Sequence, residues 1–157
     1  MLAVFSVLEF FTLPPGGNVS LRRINHVALK VRELSASDRF YREILGMEKV
    51  GERPRMWFYR AGGQRHDLAL FELGAAGKLP SPHHAGMFHL GFTVSSEAAL
   101  AALYQRCQEA GVPFMGAVEH NVMHTFYVQD PDGNTIELGV DPPLEDWTDS
   151  AAPFPAT

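Results

Sequence analysis

The strongest constraint on this 157-residue chain is that its sequence repeats one plan twice. Each copy begins with an apolar segment that carries a histidine, continues through a helical stretch that ends at a glycine, and finishes with further apolar segments. His26 and His89 head the two copies, and Gly46 and Gly111 end the two helical stretches, so both pairs keep an offset of 63 to 65 positions. Landmarks that keep nearly one offset indicate a duplicated supersecondary unit.

Hydrophobic periodicity predicts one helix in each copy, over residues 34–46 and 95–111. A Pro-Asp-Gly run within residues 130–134 predicts a tight turn, because proline and glycine suit successive turn positions. This turn should join two antiparallel strands, the second of which covers residues 135–140. Each copy is therefore expected to fold as a strand, a helix and two or three strands. The candidate helix-capping residues are Ser35 or Ser37 in the first copy and Ser95 or Ser96 in the second.

The composition is that of a globular domain, with 46% hydrophobic and 20% charged residues. A net charge of −5 without a lysine or arginine run disfavours binding to a nucleic-acid backbone. We expect one domain over residues 22–140, with module one at 22–78 and module two at 86–140. Residues 1–21 are interpreted as an N-terminal extension and residues 141–157 as a C-terminal tail.

The sequence contains no pattern typical of a membrane-bound or exported protein. The apolar start, residues 1–15, is interrupted by Glu9 and is preceded by no basic residue, so it does not match a signal peptide. It is also shorter than a membrane span. The single cysteine, Cys107, excludes an internal disulfide and suits a reducing compartment. A cytoplasmic protein is therefore expected.

Strand alternation places one histidine or glutamate in each of three strands on the face away from the helices. In residues 27–31 alternate positions are apolar, and His26 lies on the opposite face. His89 and Glu137 take matching positions in two strands of the second copy. Two imidazoles and one carboxylate on one face of a divalent ion leave three positions open, as in ferrous oxygenases. The sequence therefore predicts a metal site formed by His26, His89 and Glu137.

The segments around these residues, 25–31, 88–94 and 130–138, resemble the vicinal oxygen chelate superfamily. That superfamily includes glyoxalase I, bleomycin and fosfomycin resistance proteins, and extradiol catechol dioxygenases. The resemblance covers about residues 22–140 and implies an α+β fold. Two tandem βαβββ modules would form a curved, partly closed mixed sheet around a metal cavity, with the helices on its outer face. The resemblance also implies a small-molecule substrate and a homodimer.

Two further segments resemble the extradiol dioxygenases in particular. Residues 64–70 are similar to the strand on which those enzymes place an active-site histidine, and residues 119–127 to the segment with their other histidine and a tyrosine. By this analogy His66 would meet dioxygen and act as general acid or base, while His120 and Tyr127 would bond the catecholate oxygens. The resemblance thus implies a ring-cleaving dioxygenase that uses Fe(II), with Mn(II), Zn(II) and Ni(II) as other candidate ions.

Glu72 favours a different activity. By its spacing it is the repeat partner of Glu137, and it falls where glyoxalase I-like enzymes place a further metal carboxylate. On a six-coordinate ion, four protein ligands leave two coordination positions, which is enough for an enediolate. A catecholate and dioxygen together need three. His66 and Glu72 are about 20 Å apart on an unbroken strand, so only one of them can reach the metal. We favour His66, and keep two alternatives: a glyoxalase I-like lyase that uses His26, Glu72, His89 and Glu137, and a non-catalytic small-molecule binding or resistance protein.

Overall fold

The chain folds as two βαβββ units in a computed structural model that describes residues 21, 23–63, 65–81, 83–120 and 123–141, apart from the side chains of residues 119, 120 and 123. The predicted extension and tail fall almost entirely outside the described residues. Within the described part, no helix is both long enough and apolar enough to cross a membrane.

Both units contain the same elements in the same order. The first unit has a short helix that continues as a π-helical segment, and the second has a longer regular helix. The elements of the first unit are β1 (Val27–Val31), α1 (Leu34–Asp38), the π-helical segment (Arg39–Ile44), β2 (Glu48–Arg53), β3 (Met56–Arg60) and β4 (Leu68–Glu72). Those of the second unit are β5 (Leu90–Thr93), α2 (Glu97–Glu109), β6 (Phe114–His120), β7 (Met123–Gln129) and β8 (Thr135–Val140).

Each unit forms one four-stranded mixed sheet. The strand orders are β1-β4-β3-β2 and β5-β8-β7-β6, which are the same arrangement. In each sheet the first and last strands of the unit pair in parallel, and the other neighbours pair antiparallel. The predicted α+β fold of two βαβββ modules is confirmed, with three strands rather than two after each helix.

Helix α1 does not begin at a serine cap, and that prediction is wrong. Glu33 occupies the N-cap position, and Ser35 and Ser37 lie inside the helix. The backbone N–H of Leu34 instead donates to Oε1 of Glu72, 3.1 Å away on β4. A carboxylate suits a helix N-terminus, because it accepts from an otherwise unpaired N–H and interacts favourably with the helix dipole.

Helix α2 begins and ends as predicted. The hydroxyl of Ser96 accepts from the backbone N–H of Ala99 across 3.2 Å. Gly111 follows the helix with φ of 68°, the left-handed conformation that glycine adopts readily after a helix. Cys107 is buried on the inner face of α2 and serves as a small core residue.

One hydrophobic core joins the two units. The helix-facing residues of the strands pack against both helices, which leaves the opposite sheet faces for polar groups. The buried core residues are Leu29, Val31, Leu34, Phe40, Tyr41, Met47, Tyr59, Leu68, Leu70, Leu100, Leu103, Cys107, Phe126, Val128, Ile136 and Leu138.

Two buried carboxylates in the β7–β8 turn connect this turn to the first unit. Asp130, which is 3% exposed, accepts hydrogen bonds from the Tyr41 hydroxyl and from the backbone N–H groups of Asp132 and Asn134, over 2.8 to 2.9 Å. Asp132 accepts from Nε of Arg32 across 2.8 Å. The predicted turn is confirmed, and its carboxylates also fix how the two units meet.

Candidate metal centre

The second unit brings three of the predicted site residues together. Nε2 of His89 lies 2.9 Å from Oε2 of Glu137. The hydroxyl of Tyr127 donates to Oε1 of the same carboxylate across 2.9 Å. The rings of His89 and Tyr127 meet edge to face, with centroids 5.8 Å apart. An imidazole, a carboxylate and a phenol therefore form one contiguous group.

Strand register explains why these groups converge. In the sheet, Glu137 on β8 lies between Gly91 on β5 and Tyr127 on β7. Its neighbours Ile136 and Leu138 are buried in the core, so alternation turns Glu137 to the opposite face. A Cβ atom at position 91 would lie 3.5 Å from Oε2 of Glu137, so a longer side chain there would cover the carboxylate.

The His89–Glu137 pair has a geometry that fits a divalent ion. Two adjacent ligands with bonds of about 2.1 Å at right angles lie about 3.0 Å apart, close to the separation of the His89 nitrogen and the Glu137 oxygen. Nδ1 of His89 is buried and makes no hydrogen bond in the described part of the chain. Among the described residues, the only polar contact of this ring is therefore the one made by Nε2, the nitrogen that faces Glu137.

The hydroxyl of Tyr127 is held in its protonated form. Burial raises the pKa of Tyr127, and the hydrogen bond to Glu137 and the charge of that carboxylate raise it further. A protonated phenol has one hydrogen to donate, and here Glu137 accepts it.

In the first unit, His26 and His66 lie side by side. Their ring centroids are 4.6 Å apart, and the ring of Phe58 lies 5.1 Å from that of His66. The backbone N–H of Val27 donates to the carbonyl of Asp67 across 2.9 Å, which aligns the residues that precede β1 and β4. The residue predicted as acid or base therefore lies next to one of the predicted ligands.

The three predicted ligands do not meet in the single chain. Within the described ranges, no group of three or more histidine, cysteine, aspartate and glutamate side chains is placed to hold a metal ion. His26 therefore does not join His89 and Glu137 in this arrangement. The side chain of His120 lies outside the described part, and its role stays a prediction.

Glu72 is not the structural counterpart of Glu137, and that pairing of the repeats is wrong. In the parallel strand pairs, Ala28 lies opposite Ala69 in the first unit and Gly91 lies opposite Glu137 in the second. Ala69 therefore occupies the position that corresponds to Glu137. The carboxylate of Glu72 accepts from the first turn of α1, which places it on the helix side of the sheet.

The contact between Tyr127 and Glu137 was not predicted, although the sequence contains a signal for it. In an antiparallel hairpin, residues equally far from the centre of the turn lie opposite each other. Counting outward from the predicted turn at 130–134 pairs residue 127 with residue 137, as observed.

Comparison with known proteins assigns the family. Residues 23–138 match the Glyoxalase/Bleomycin resistance protein/Dioxygenase superfamily, and the chain belongs to it. The chain is 33% identical over 121 residues to biphenyl-2,3-diol 1,2-dioxygenase 3 of Rhodococcus globerulus, a match that covers 76% of this chain and 63% of that protein. It is 31% identical over 124 residues to catechol-2,3-dioxygenase of Bacillus subtilis, covering 79% of this chain and 43% of that protein.

A solved structure shows the same fold. The glyoxylase/bleomycin resistance protein/dioxygenase domain from Frankia superposes with a TM-score of 0.66 at 30% identity, covering 78% of this chain and 99% of that domain. The chain thus spans a whole domain of this kind but less than two thirds of the length of the two dioxygenases. The family contains both glyoxalases and dioxygenases, so the activity has to be argued from the site.

Proposed function

We propose that this chain is an extradiol-type dioxygenase that cleaves the ring of a catechol-like diol, with Fe(II) held by His26, His89 and Glu137. The observation that carries the proposal is that Ala69 occupies the position corresponding to Glu137. Because alanine provides no ligand, the site has one carboxylate instead of two. The two curated relatives described above are named as dioxygenases of aromatic diols, which supports the same choice.

The number of ligands decides between the two enzyme classes. Two imidazoles and one carboxylate leave three of six positions open, enough for both diol oxygens and dioxygen. A second carboxylate would leave two, which suits an enediolate but excludes the combination of diol and dioxygen. Glu72 was the candidate for that second carboxylate, and its Oε1 is engaged by the N–H of Leu34.

Fe(II), when bound, would orient the diol and dioxygen and pass electron density between them. The protein would contribute proton transfer and substrate positioning. His66, next to His26, is proposed as the group that accepts a proton from a diol hydroxyl and returns it later, because imidazole titrates near neutral pH. Tyr127 and His120 are proposed to contact the diol oxygens.

We further propose a homodimer in which His26 of one subunit completes the metal site of the other subunit. His26 is exposed in the single chain and does not lie with His89 and Glu137. Each four-stranded sheet also ends in two edge strands, which in many proteins pair with or pack against another chain. In the proposed dimer, the exposed His26 of one subunit would complete the ligand set of His89 and Glu137 in the other.

The activity is tested by anaerobic reconstitution of the full chain with Fe(II), followed by oxygen and a panel of catechol, 3-methylcatechol and 2,3-dihydroxybiphenyl. Oxygen uptake should accompany the absorbance of a ring-cleaved product. His89→Ala should abolish both signals, whereas the control His84→Ala, at an exposed position between the units, should retain them. If no diol supports oxygen uptake and the Zn(II)- or Ni(II)-loaded protein converts a hemithioacetal, the glyoxalase I-like activity replaces this proposal.

A further inference from the structure

We propose that Tyr127 is a positioning residue that makes Glu137 bind the metal through one oxygen only. This inference rests on the proposed metal site, but it concerns the number of coordination positions rather than the reaction. The two carboxylate oxygens of Glu137 have different partners: Oε1 accepts from the Tyr127 hydroxyl, and Oε2 faces Nε2 of His89, each across 2.9 Å.

The backbone holds Tyr127 in this position. Tyr127 and Glu137 are directly opposite in the antiparallel β7–β8 pair. The residues on either side of the tyrosine, Phe126 and Val128, are 4% and 1% exposed, so the strand is anchored in the core. The ring also packs edge to face against His89. The hydroxyl therefore cannot leave Glu137 by a small shift of the strand, and only a rotation of the side chain would release Oε1.

This hydrogen bond determines how many positions on the ion stay open. A carboxylate binds a cation through one oxygen or through both. With two imidazoles and both oxygens of Glu137, a six-coordinate ion would keep two open positions. With Oε1 engaged by Tyr127, it keeps the three that a diol and dioxygen need together.

The same contact limits what Tyr127 can do to a substrate. A phenol has one hydrogen to donate, and Glu137 accepts it. The oxygen of Tyr127 can still accept a hydrogen bond from a diol hydroxyl. Donation to a catecholate oxygen would first require the Tyr127 hydroxyl to release Glu137. Tyr127 can therefore donate its hydrogen either to Glu137 or to the substrate, but not to both at once.

The inference is tested with Mn(II) as the probe, in the full chain and without diol or oxygen. Pulsed EPR in ¹⁷O-labelled water counts the water molecules bound to Mn(II) at saturation. Tyr127→Phe should carry one water fewer than the wild type, because the freed Oε1 joins the metal. The control Tyr104→Phe removes a hydroxyl that bonds to Gln108 on α2, and it should match the wild type.

A second variant keeps the test informative if Tyr127→Phe is poorly folded. Glu137→Gln has only one oxygen that can ligate, so on its own it should bind the same number of water molecules as the wild type. One additional water in Glu137→Gln would show that Glu137 binds through both oxygens in the wild type, and it would overturn the inference. Equal counts for the wild type and Tyr127→Phe, with Mn(II) bound to both, would overturn the role of Tyr127. A protein with the expected counts that consumes no oxygen with any diol would overturn the proposed activity instead.

Discussion

Replacing Glu72 separates its helix-capping contact from metal binding. In Glu72→Ala the N–H of Leu34 loses its acceptor at the start of α1, while the backbone carbonyl of residue 72 still accepts from Arg55. Loss of a helix-start acceptor costs about 1 kcal/mol. For a chain of this length that corresponds to a fall in melting temperature of about 2–4 °C. Glu72→Gln retains an oxygen acceptor, so its melting temperature should fall by less than half as much as that of Glu72→Ala.

Thermal unfolding followed by circular dichroism measures the change in melting temperature, and an anaerobic Fe(II) titration measures the affinity for the metal. Both variants should bind Fe(II) within about two-fold of the wild type, because the carboxylate lies on the helix side of the sheet. Glu52→Gln, an exposed position on β2, controls for the loss of one negative charge. A role of Glu72 in helix capping alone is refuted if Glu72→Gln weakens Fe(II) binding ten-fold or more while its melting temperature stays that of the wild type.

Three further predictions follow from other contacts. Asp130→Ala should lower the free energy of unfolding by about 3 kcal/mol, because it removes charged hydrogen bonds and leaves the buried Tyr41 hydroxyl unpaired. Urea unfolding measures this free energy, and a decrease of less than about 1 kcal/mol would contradict the prediction. Backbone N–H groups of the β3–β4 loop lower the pKa of Asp67, so the stability this carboxylate adds is present above its ordinary pKa of 3.8 and lost as the pH falls further. Asp67→Asn should therefore reduce the difference in urea midpoint between pH 5 and pH 3, and an unchanged difference would count against this. If His26 completes the site of the other subunit, as proposed, mixing His26→Ala and Glu137→Ala subunits should restore oxygen uptake, because one site of each mixed dimer would keep all three ligands. No recovery in verified mixed dimers would exclude a shared site.

The fold was predictable because the signals that define it are local. Hydrophobic periodicity and terminal glycines located both helices, and the Pro-Asp-Gly run located the β7–β8 turn. The start of α1 was not predictable from nearby residues, because its acceptor, Glu72, lies 38 positions away on β4. A side chain that caps a helix from another element leaves no trace in the local sequence.

The candidate site was predictable only in part, for a related reason. Alternation along each strand placed Glu137 on the face away from the core, as the burial of Leu138 bears out. Which residues correspond between the units depends on hydrogen-bond register between strands, whereas sequence spacing also counts loop residues. Sequence spacing therefore indicated Glu72 as the counterpart of Glu137 in the first unit, whereas strand register shows that the counterpart is Ala69. The distance from His26 to the His89–Glu137 pair depends on how the two units pack against each other, which the alternation of residues within a strand does not encode.

The most direct test of the account is the affinity of the purified protein for Fe(II) under anaerobic conditions, measured for the wild type and for His26→Ala, His89→Ala and Glu137→Ala. We expect one ion per chain in the wild type and a loss of at least 100-fold in each variant, with circular dichroism spectra unchanged. Wild-type affinity in His26→Ala would contradict the central claim, because it would show that the ion does not need a ligand from the first unit.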